Sequence, residues 1–282
     1  MTTILRYAAF TTTPEGGNKA GVVPDARGLT DEQMLAIAAE LGYSETAFLT
    51  PDRQGRARTF EVRFFAPTTE VPFCGHATVA AAVALAELTG PGDLLFETNV
   101  GSVPVQVAAD RDGVLNATLT SVEPHVQDID PADLREALAA LDWRAEELDP
   151  ELPPRFASAG GRHLVLAAAT RERLADLAYD FDRLAAFSRA HGLLTLQLVW
   201  RESGEVFHVR DPFPVGGVVE DPATGSAALA FGAYLRELGE AGPDARLTLH
   251  QGEDLGSPGL LQVELRAGDT RVRVSGAAVR LP

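Results

Sequence analysis

Only one cysteine, Cys74, occurs in the 282 residues, so an intramolecular disulfide is excluded. Cations are also scarce: 24 Lys plus Arg stand against 40 Asp plus Glu, a formal net charge of -16. Such a molecule repels phosphate backbones and anionic lipid surfaces, so neither nucleic acid nor a membrane is expected as a partner. An anionic ligand would have to be gripped by local donors against the long-range field. Long apolar runs are missing too. The longest uncharged stretch, Val71 to Ala86, is shorter than the ~20 residues of a spanning helix and contains Gly75 and His76, which makes it a buried helix. The opening MTTILRYAAF has neither the basic flank nor the apolar core of a signal peptide, and a cytoplasmic location is expected. There is no G-x-x-x-x-G-K-[ST] phosphate loop, no dinucleotide glycine fingerprint and no G-x-S-x-G elbow. The six histidines, His76, His125, His163, His191, His208 and His250, form no close-spaced pair of ligands. No cofactor and no metal are therefore expected.

What the chain does contain is enough apolar residue, 45% against 23% charged, for two lobes of about 130 residues each. Strands are expected over Thr3 to Phe10, Tyr43 to Leu49, Ala57 to Ala66, Leu94 to Ala108 and Val114 to Val122, with a turn at Asp110 to Gly113. Thr30 to Gln33 has capping-box form, and the helix it opens should stop at Gly42. Glu123 to Pro131, with two prolines and several acids, reads as a linker. Beyond it come a helix capped by Asp130 and Pro131, mostly strand over Arg155 to Ala169, helical segments over Arg171 to His191, and a hairpin over Leu193 to Arg210 turning at Ser203 and Gly204. Closing strands follow at Leu247 to Gln251, Leu260 to Arg266 and Arg271 to Leu281. The expected division is 1–122, joined by the last strand 271–282, and 123–270.

The halves echo one another at a spacing of about 150 residues. Cys74-Gly75-His76-Ala77-Thr78 and Thr224-Gly225-Ser226-Ala227-Ala228 open helices of like pattern. Gly16-Gly17 is echoed by Gly160-Gly161, and Gly101-Ser102 by Gly256-Ser257. Chance likeness between alanine-rich helices is the plain alternative. Both helices are apolar almost all round, and a helix without a polar face must be wrapped on every side. The expected fold class is therefore α+β, with two pseudo-symmetric lobes, each a mostly antiparallel sheet curled around a central helix.

Gly75-His76-Ala77 and Gly225-Ser226-Ala227 are expected helix N-termini, where unpaired backbone N–H groups and the helix dipole favour a carboxylate. Ordinary glycine-based entry into a core helix is the alternative. Pro222 holds Asp221 extended and Thr224-Gly225 permits a tight turn, so Asp221 and Ser226 can both face the helix mouth. Asp221 or Thr224 acting simply as a cap is the other reading. Glu45 lies in a strand on the face of Ala47 and Leu49; buried, it could exchange protons with carbon as a general acid/base, and otherwise it would pair with a cation. Cys74 precedes a helix start, but the second thiol that two-thiol racemisation requires does not exist. It is read as packing, or at most as a bystander in the cleft.

Five blocks of this sequence together resemble a known family: Gly16-Gly17-Asn18-Lys19-Ala20-Gly21, Ser44-Glu45-Thr46-Ala47-Phe48, Arg63-Phe64-Phe65-Ala66-Pro67 leading to Pro72-Phe73-Cys74-Gly75-His76, Glu220 to Ser226, and Gln251-Gly252. In order and spacing they are similar to the phenazine-biosynthesis PhzF-like isomerases, which share the diaminopimelate epimerase fold. The resemblance implies an active site between two lobes, often a homodimer, and a proton shift on a small anionic or amino-acid-like substrate without metal or organic cofactor. It implies a catalytic set of Glu45, His76 and Asp221, with Glu45 moving the proton, and substrate contacts at Asn18, Gly75, Thr224, Gly225 and Ser226. Lys19, where the family usually has proline, adds a cation close to that site. Asp211-Pro212-Phe213-Pro214 and Ser257 also depart from the family pattern and leave the substrate open. An amino-acid epimerase of the same fold and a non-catalytic binding protein are the alternatives.

Overall fold

The computed structural model describes residues 2–282. The chain divides into two compact units, one formed by residues up to Thr120 together with Val274–Pro282, the other by Ser121–Arg273.

In the first unit, strands Leu5–Ala9 and Asn18–Val23 form an antiparallel hairpin. Asn18–Val23 then runs parallel to Glu45–Pro51, which pairs antiparallel with Thr59–Ala66. Thr59–Ala66 runs parallel to Gly92–Thr98, and that strand turns back into Gly101–Ala109 and Leu115–Thr120. The second unit repeats the order. A hairpin, Arg155–Ser158 with Arg162–Ala167, lies parallel to the next, Leu196–Arg201 with Val206–Pro212, and this lies parallel to a third, Arg246–Gln251 with Gly259–Arg266. Identical alternation of hairpin and parallel step, with the paired glycines in matching turns, makes the sequence echo a duplicated fold rather than chance.

Each unit surrounds one helix. Helix Gly75–Thr89 is buried at every residue from Gly75 to Ala86, and helix Gly225–Leu238 at every residue from Gly225 to Leu235. The first packs on strands Leu5–Ala9, Asn18–Val23 and Leu115–Thr120; the second packs on Arg155–Ser158, Arg162–Ala167 and Gly259–Arg266. Small residues let the sheets close in. A Cβ at Gly232 would sit 2.7 Å from Val263 and 2.9 Å from Val272. The opposite sheet faces carry outer helices: Met34 and Ala38 of helix Asp31–Leu41 pack with Phe48 and Phe65. Helices Pro131–Leu141 and Phe181–His191 share a core with Leu164, Leu166, Leu196 and Leu198. The outer helices start as expected. Thr30 and Gln33 bond reciprocally at 2.9 and 3.3 Å, and Asp130 accepts from the Ala132 N–H at 2.8 Å with Pro131 in the first turn.

Three readings change. The strand expected over Leu94 to Ala108 is two strands, because Gly101 takes φ of 118° and turns the chain back on itself so that Thr98 faces Gly101. Glu123 to Pro131 is not merely a linker: its His125–Asp128 pairs antiparallel with Arg155–Ser158, and it lacks an apolar pattern because most of it faces solvent. Arg155 to Ala169 is likewise a hairpin, broken at Ala159–Gly161. Among the described residues no helix is long and apolar enough to cross a membrane.

Candidate active site

In the first unit, two strand starts and one helix start converge. Asn18 opens its strand and Glu45 opens the parallel neighbour, where Ala20 stands opposite Glu45. His76 is the second residue of the central helix. Its ring is held on both nitrogens: Asn18 Nδ2 lies 3.1 Å from Nδ1, while Ser44 Oγ lies 3.2 Å and Glu45 Oε2 3.4 Å from Nε2. Glu45, His76 and Asn18 are 8%, 4% and 3% exposed, so the group is secluded from bulk water without being sealed. Both faces of the Glu45 strand are buried, since Thr46, Ala47 and Leu49 are fully covered. A carboxyl at its first residue is tolerated because the imidazole offers it a polar partner.

Cys74 is the N-cap of this helix, and its side chain makes no capping bond. The Cys74 carbonyl accepts from the Thr78 N–H at 3.1 Å and from Thr78 Oγ1 at 2.6 Å, while Sγ lies 3.3 Å from His76 Nδ1. The thiol is thus part of the cluster and not simple packing. Glu45, Cys74 and His76 bring one ligand atom each to within 4.8 Å of one another, a grouping that histidine spacing did not reveal because its other members are a cysteine and an acid from a separate strand. Lys19 is exposed while Asn18 before it and Ala20 after it are buried, so strand alternation turns it away from the cluster.

In the second unit, Asp221 ends the short strand Glu220–Asp221 and Thr224 is the N-cap of helix Gly225–Leu238. Thr224 Oγ1 donates to Asp221 Oδ2 at 2.6 Å instead of capping the helix. Gln251 ties this turn together: its Oε1 accepts from the Thr224 N–H at 2.9 Å, and its Nε2 donates to the Asp221 carbonyl at 2.8 Å and to Thr224 Oγ1 at 2.9 Å. Asp221, Thr224 and Ser226 are 6%, 8% and 7% exposed. The first N–H groups of both central helices lie beyond the reach of intrahelical acceptors and of any side-chain cap. The structure therefore gathers Asn18, Glu45, Gly75 and His76 within one unit, and Asp221, Thr224, Gly225 and Ser226 within the other. Gln251 was legible only as a motif letter. The strand corresponding to that of Glu45 opens on Leu196, so the second unit offers no matching carboxylate.

Behind Asp221, Asp211 stands opposite it across the strand pair and is fully buried. Thr195 Oγ1 donates to Asp211 Oδ1 at 2.7 Å and lies 2.8 Å from His163 Nδ1. Gln197, with its amide turned to donate, reaches Asp211 at 3.0 and 3.1 Å. Burial raises the Asp211 carboxyl well above the usual range, and the charges of Asp221 and Glu220 add to this. Burial lowers His163 to about 3, so its ring is neutral.

Residues 7–281 match the sequence profile of the family described as phenazine biosynthesis-like protein, PhzC-PhzF. An uncharacterized isomerase of Deinococcus radiodurans is 37% identical over 99% of this chain and 92% of its own length. The trans-2,3-dihydro-3-hydroxyanthranilate isomerase of Pseudomonas fluorescens is 30% identical over 96% of this chain and 94% of its own. The solved structure of a predicted epimerase from Pseudomonas aeruginosa superposes with a TM-score of 0.88 at 30% identity, covering 100% of this chain and 98% of that one.

Proposed function

Because this chain belongs to the phenazine biosynthesis-like protein family of isomerases, we propose that it moves one proton on a small carboxylic acid, using its own side chains and no cofactor, with the acid bound between the two units. The observation that carries this reading is the pairing of Glu45 Oε2 with His76 Nε2 at 3.4 Å beside an uncapped helix start. Glu45 as carboxylate takes a proton from a carbon of the substrate. As the acid it then returns the proton to another carbon of the same conjugated system. Negative charge that develops on the substrate carboxyl or ring oxygen is met by the N–H groups of Gly75 and His76, dipoles already oriented before reaction. His76 stays put between Asn18 and Ser44 and fixes the direction of the Glu45 carboxyl. The Asp221–Ser226 turn, held by Gln251, supplies the second grip on the acid.

The likeness to a predicted epimerase favours a second reading, in which Glu45 keeps the proton it takes and a second acid, Asp221, delivers another to the same carbon from the opposite face. One experiment separates the two. Small carboxylic acids, beginning with trans-2,3-dihydro-3-hydroxyanthranilate, are incubated with the protein in D2O and followed by NMR. Isomerisation gives a product with a hydrogen on a new carbon, as deuterium to the extent that the proton held by Glu45 exchanges with D2O before it is delivered, and epimerisation places deuterium on the original carbon with inversion. Glu45→Gln should slow incorporation by about 10² or more, the usual weight of a general acid/base. Exchange at an unchanged rate in that variant would remove Glu45 from the mechanism.

A further inference from the structure

The neighbours of the His76 ring differ in kind at its two nitrogens. Asn18 Nδ2 lies 3.1 Å from Nδ1, and Cys74 Sγ lies 3.3 Å from the same nitrogen. An amide nitrogen can only donate and a thiol is a weak donor, so both address the Nδ1 lone pair. At Nε2 stand Ser44 Oγ at 3.2 Å and Glu45 Oε2 at 3.4 Å. A carboxylate can only accept, and it therefore calls for an N–H at Nε2. The direction of the amide agrees with this: Ser44 Oγ donates to Asn18 Oδ1 at 3.5 Å and keeps its lone pairs for Nε2–H. Amide, hydroxyl and carboxylate thus select one tautomer of the ring. Because Asn18, Glu45 and His76 are all buried, a donor facing a donor here would carry its full desolvation cost.

We propose that Asn18 is a positioning residue that fixes His76 with its proton on Nε2, and that this tautomer lets one carboxyl, Glu45, both take a proton and return it. With Nε2–H turned toward Glu45, the ring steadies the carboxylate and presents no vacant lone pair beside it. A proton taken from the substrate then stays on Glu45 and goes back to a carbon, while the Nε2 proton does not move. The other tautomer would set a bare Nε2 at 3.4 Å from Glu45. Imidazole is ordinarily a stronger base than a carboxylate, so that nitrogen would draw the proton off Glu45 and hold it on the ring. Asn18 is placed for this by the fold, since it opens the strand parallel to the one that Glu45 opens. In this role it acts through His76 and not on the substrate, which differs from the substrate contact that the family resemblance implied for it.

Only the catalytic half rests on Glu45 being the proton carrier; the tautomer half does not. The tautomer is read first, by NMR at mildly alkaline pH on protein carrying 15N-labelled histidine, with the His76 ring assigned by its loss in His76→Gln. The unaltered protein should show hydrogen on Nε2 and a bare Nδ1. In Asn18→Asp the new carboxylate attracts a proton, and Nδ1 should become protonated. Hydrogen on Nδ1 of the unaltered protein overturns the proposal, and this measurement needs no variant at position 18 to fold. A bare Nδ1 in folded Asn18→Asp overturns it as well. The catalytic half is read in Asn18→Leu, which keeps the size and removes the donor. Turnover of trans-2,3-dihydro-3-hydroxyanthranilate, or of whichever small acid exchanges deuterium in its place, should fall by about tenfold or more with KM little changed. A raised KM with turnover intact would make Asn18 a substrate contact and defeat the positioning role. Turnover and KM both unchanged would remove the catalytic half alone. Failure of Glu45 as the carrier shows separately, as undiminished exchange in Glu45→Gln, and leaves the tautomer result standing.

Discussion

Arg210 and Glu220 meet as a two-pronged fork, Nε to Oε1 at 3.0 Å and Nη2 to Oε2 at 2.6 Å, with the Glu220 side chain 1% exposed. The remaining guanidinium nitrogen donates to the Ala175 carbonyl at 2.7 Å, so each prong has a partner. This fork anchors the two-residue strand that presents Asp221. Arg210→Met would strand a buried carboxylate and should cost about 3 to 5 kcal/mol, measured by urea denaturation. The double variant Arg210→Met with Glu220→Leu should regain most of that loss. A double variant no better than the single one would show that the fork contributes more than charge cancellation.

Gln251 is both donor and acceptor to the Asp221–Thr224 turn, which makes the amide irreplaceable by its isosteric acid. Gln251→Glu keeps the size but loses the donor to the Asp221 carbonyl and sets two acceptors face to face. It should destabilise by about 1 to 3 kcal/mol in thermal unfolding, as Gln251→Ala should. If Gln251→Glu matched the unaltered protein at neutral pH, the three bonds drawn from Gln251 would be wrong.

Gly252 follows Gln251 with φ of 80°, and a Cβ there would lie 2.3 Å from the Ser257 carbonyl oxygen and 2.7 Å from that of Pro222, both main-chain atoms with no room to retreat. Gly217 has nearly the same φ, 79°, but its Cβ would meet nothing within 4 Å. Gly217→Ala should thus cost only the left-handed strain of about 1 to 2 kcal/mol, and Gly252→Ala clearly more. Comparing the two denaturation midpoints isolates the steric part. Equal losses would mean that the turn under Pro222 yields.

His163 and Asp211 give opposite pH signatures. His163 binds its proton less readily folded than unfolded, so its contribution is intact above the ordinary value of 6.5 and is lost as pH falls toward about 3, at up to about 1.4 kcal/mol per pH unit. The folded Asp211 holds its proton more tightly, so its contribution is full below 3.8 and is lost as pH rises through the elevated folded value. His163→Gln should flatten the acid-side decline relative to the unaltered chain. Asp211→Asn should gain stability over the unaltered chain progressively as pH rises. Parallel stability curves for either variant and the unaltered protein would contradict the corresponding assignment.

Local signals carried much of the fold. Thr30 with Gln33, Asp130 with Pro131, and the left-handed stop at Gly42 act through bonds within one turn of helix, and so are written in adjacent letters. The alanine-rich helices announced their burial because nothing polar interrupts them. The turn at Gly101 and the exposed strand His125–Asp128 stayed hidden, the first within a continuous apolar alternation, the second because an exposed strand carries no apolar code.

By itself the sequence determined the family, the duplicated plan, and which residue types stand at each helix start, since these follow from composition, periodicity and a run of motifs in order. Only the tertiary structure decided who meets whom. That Asn18 and Glu45, on parallel neighbouring strands, close on the ring of His76, that Cys74 joins them while Lys19 turns outward, and that Gln251 clasps the turn before Ser226, are matters of strand register and side-chain direction. Those arise from packing between segments far apart in the chain, and no local pattern encodes them.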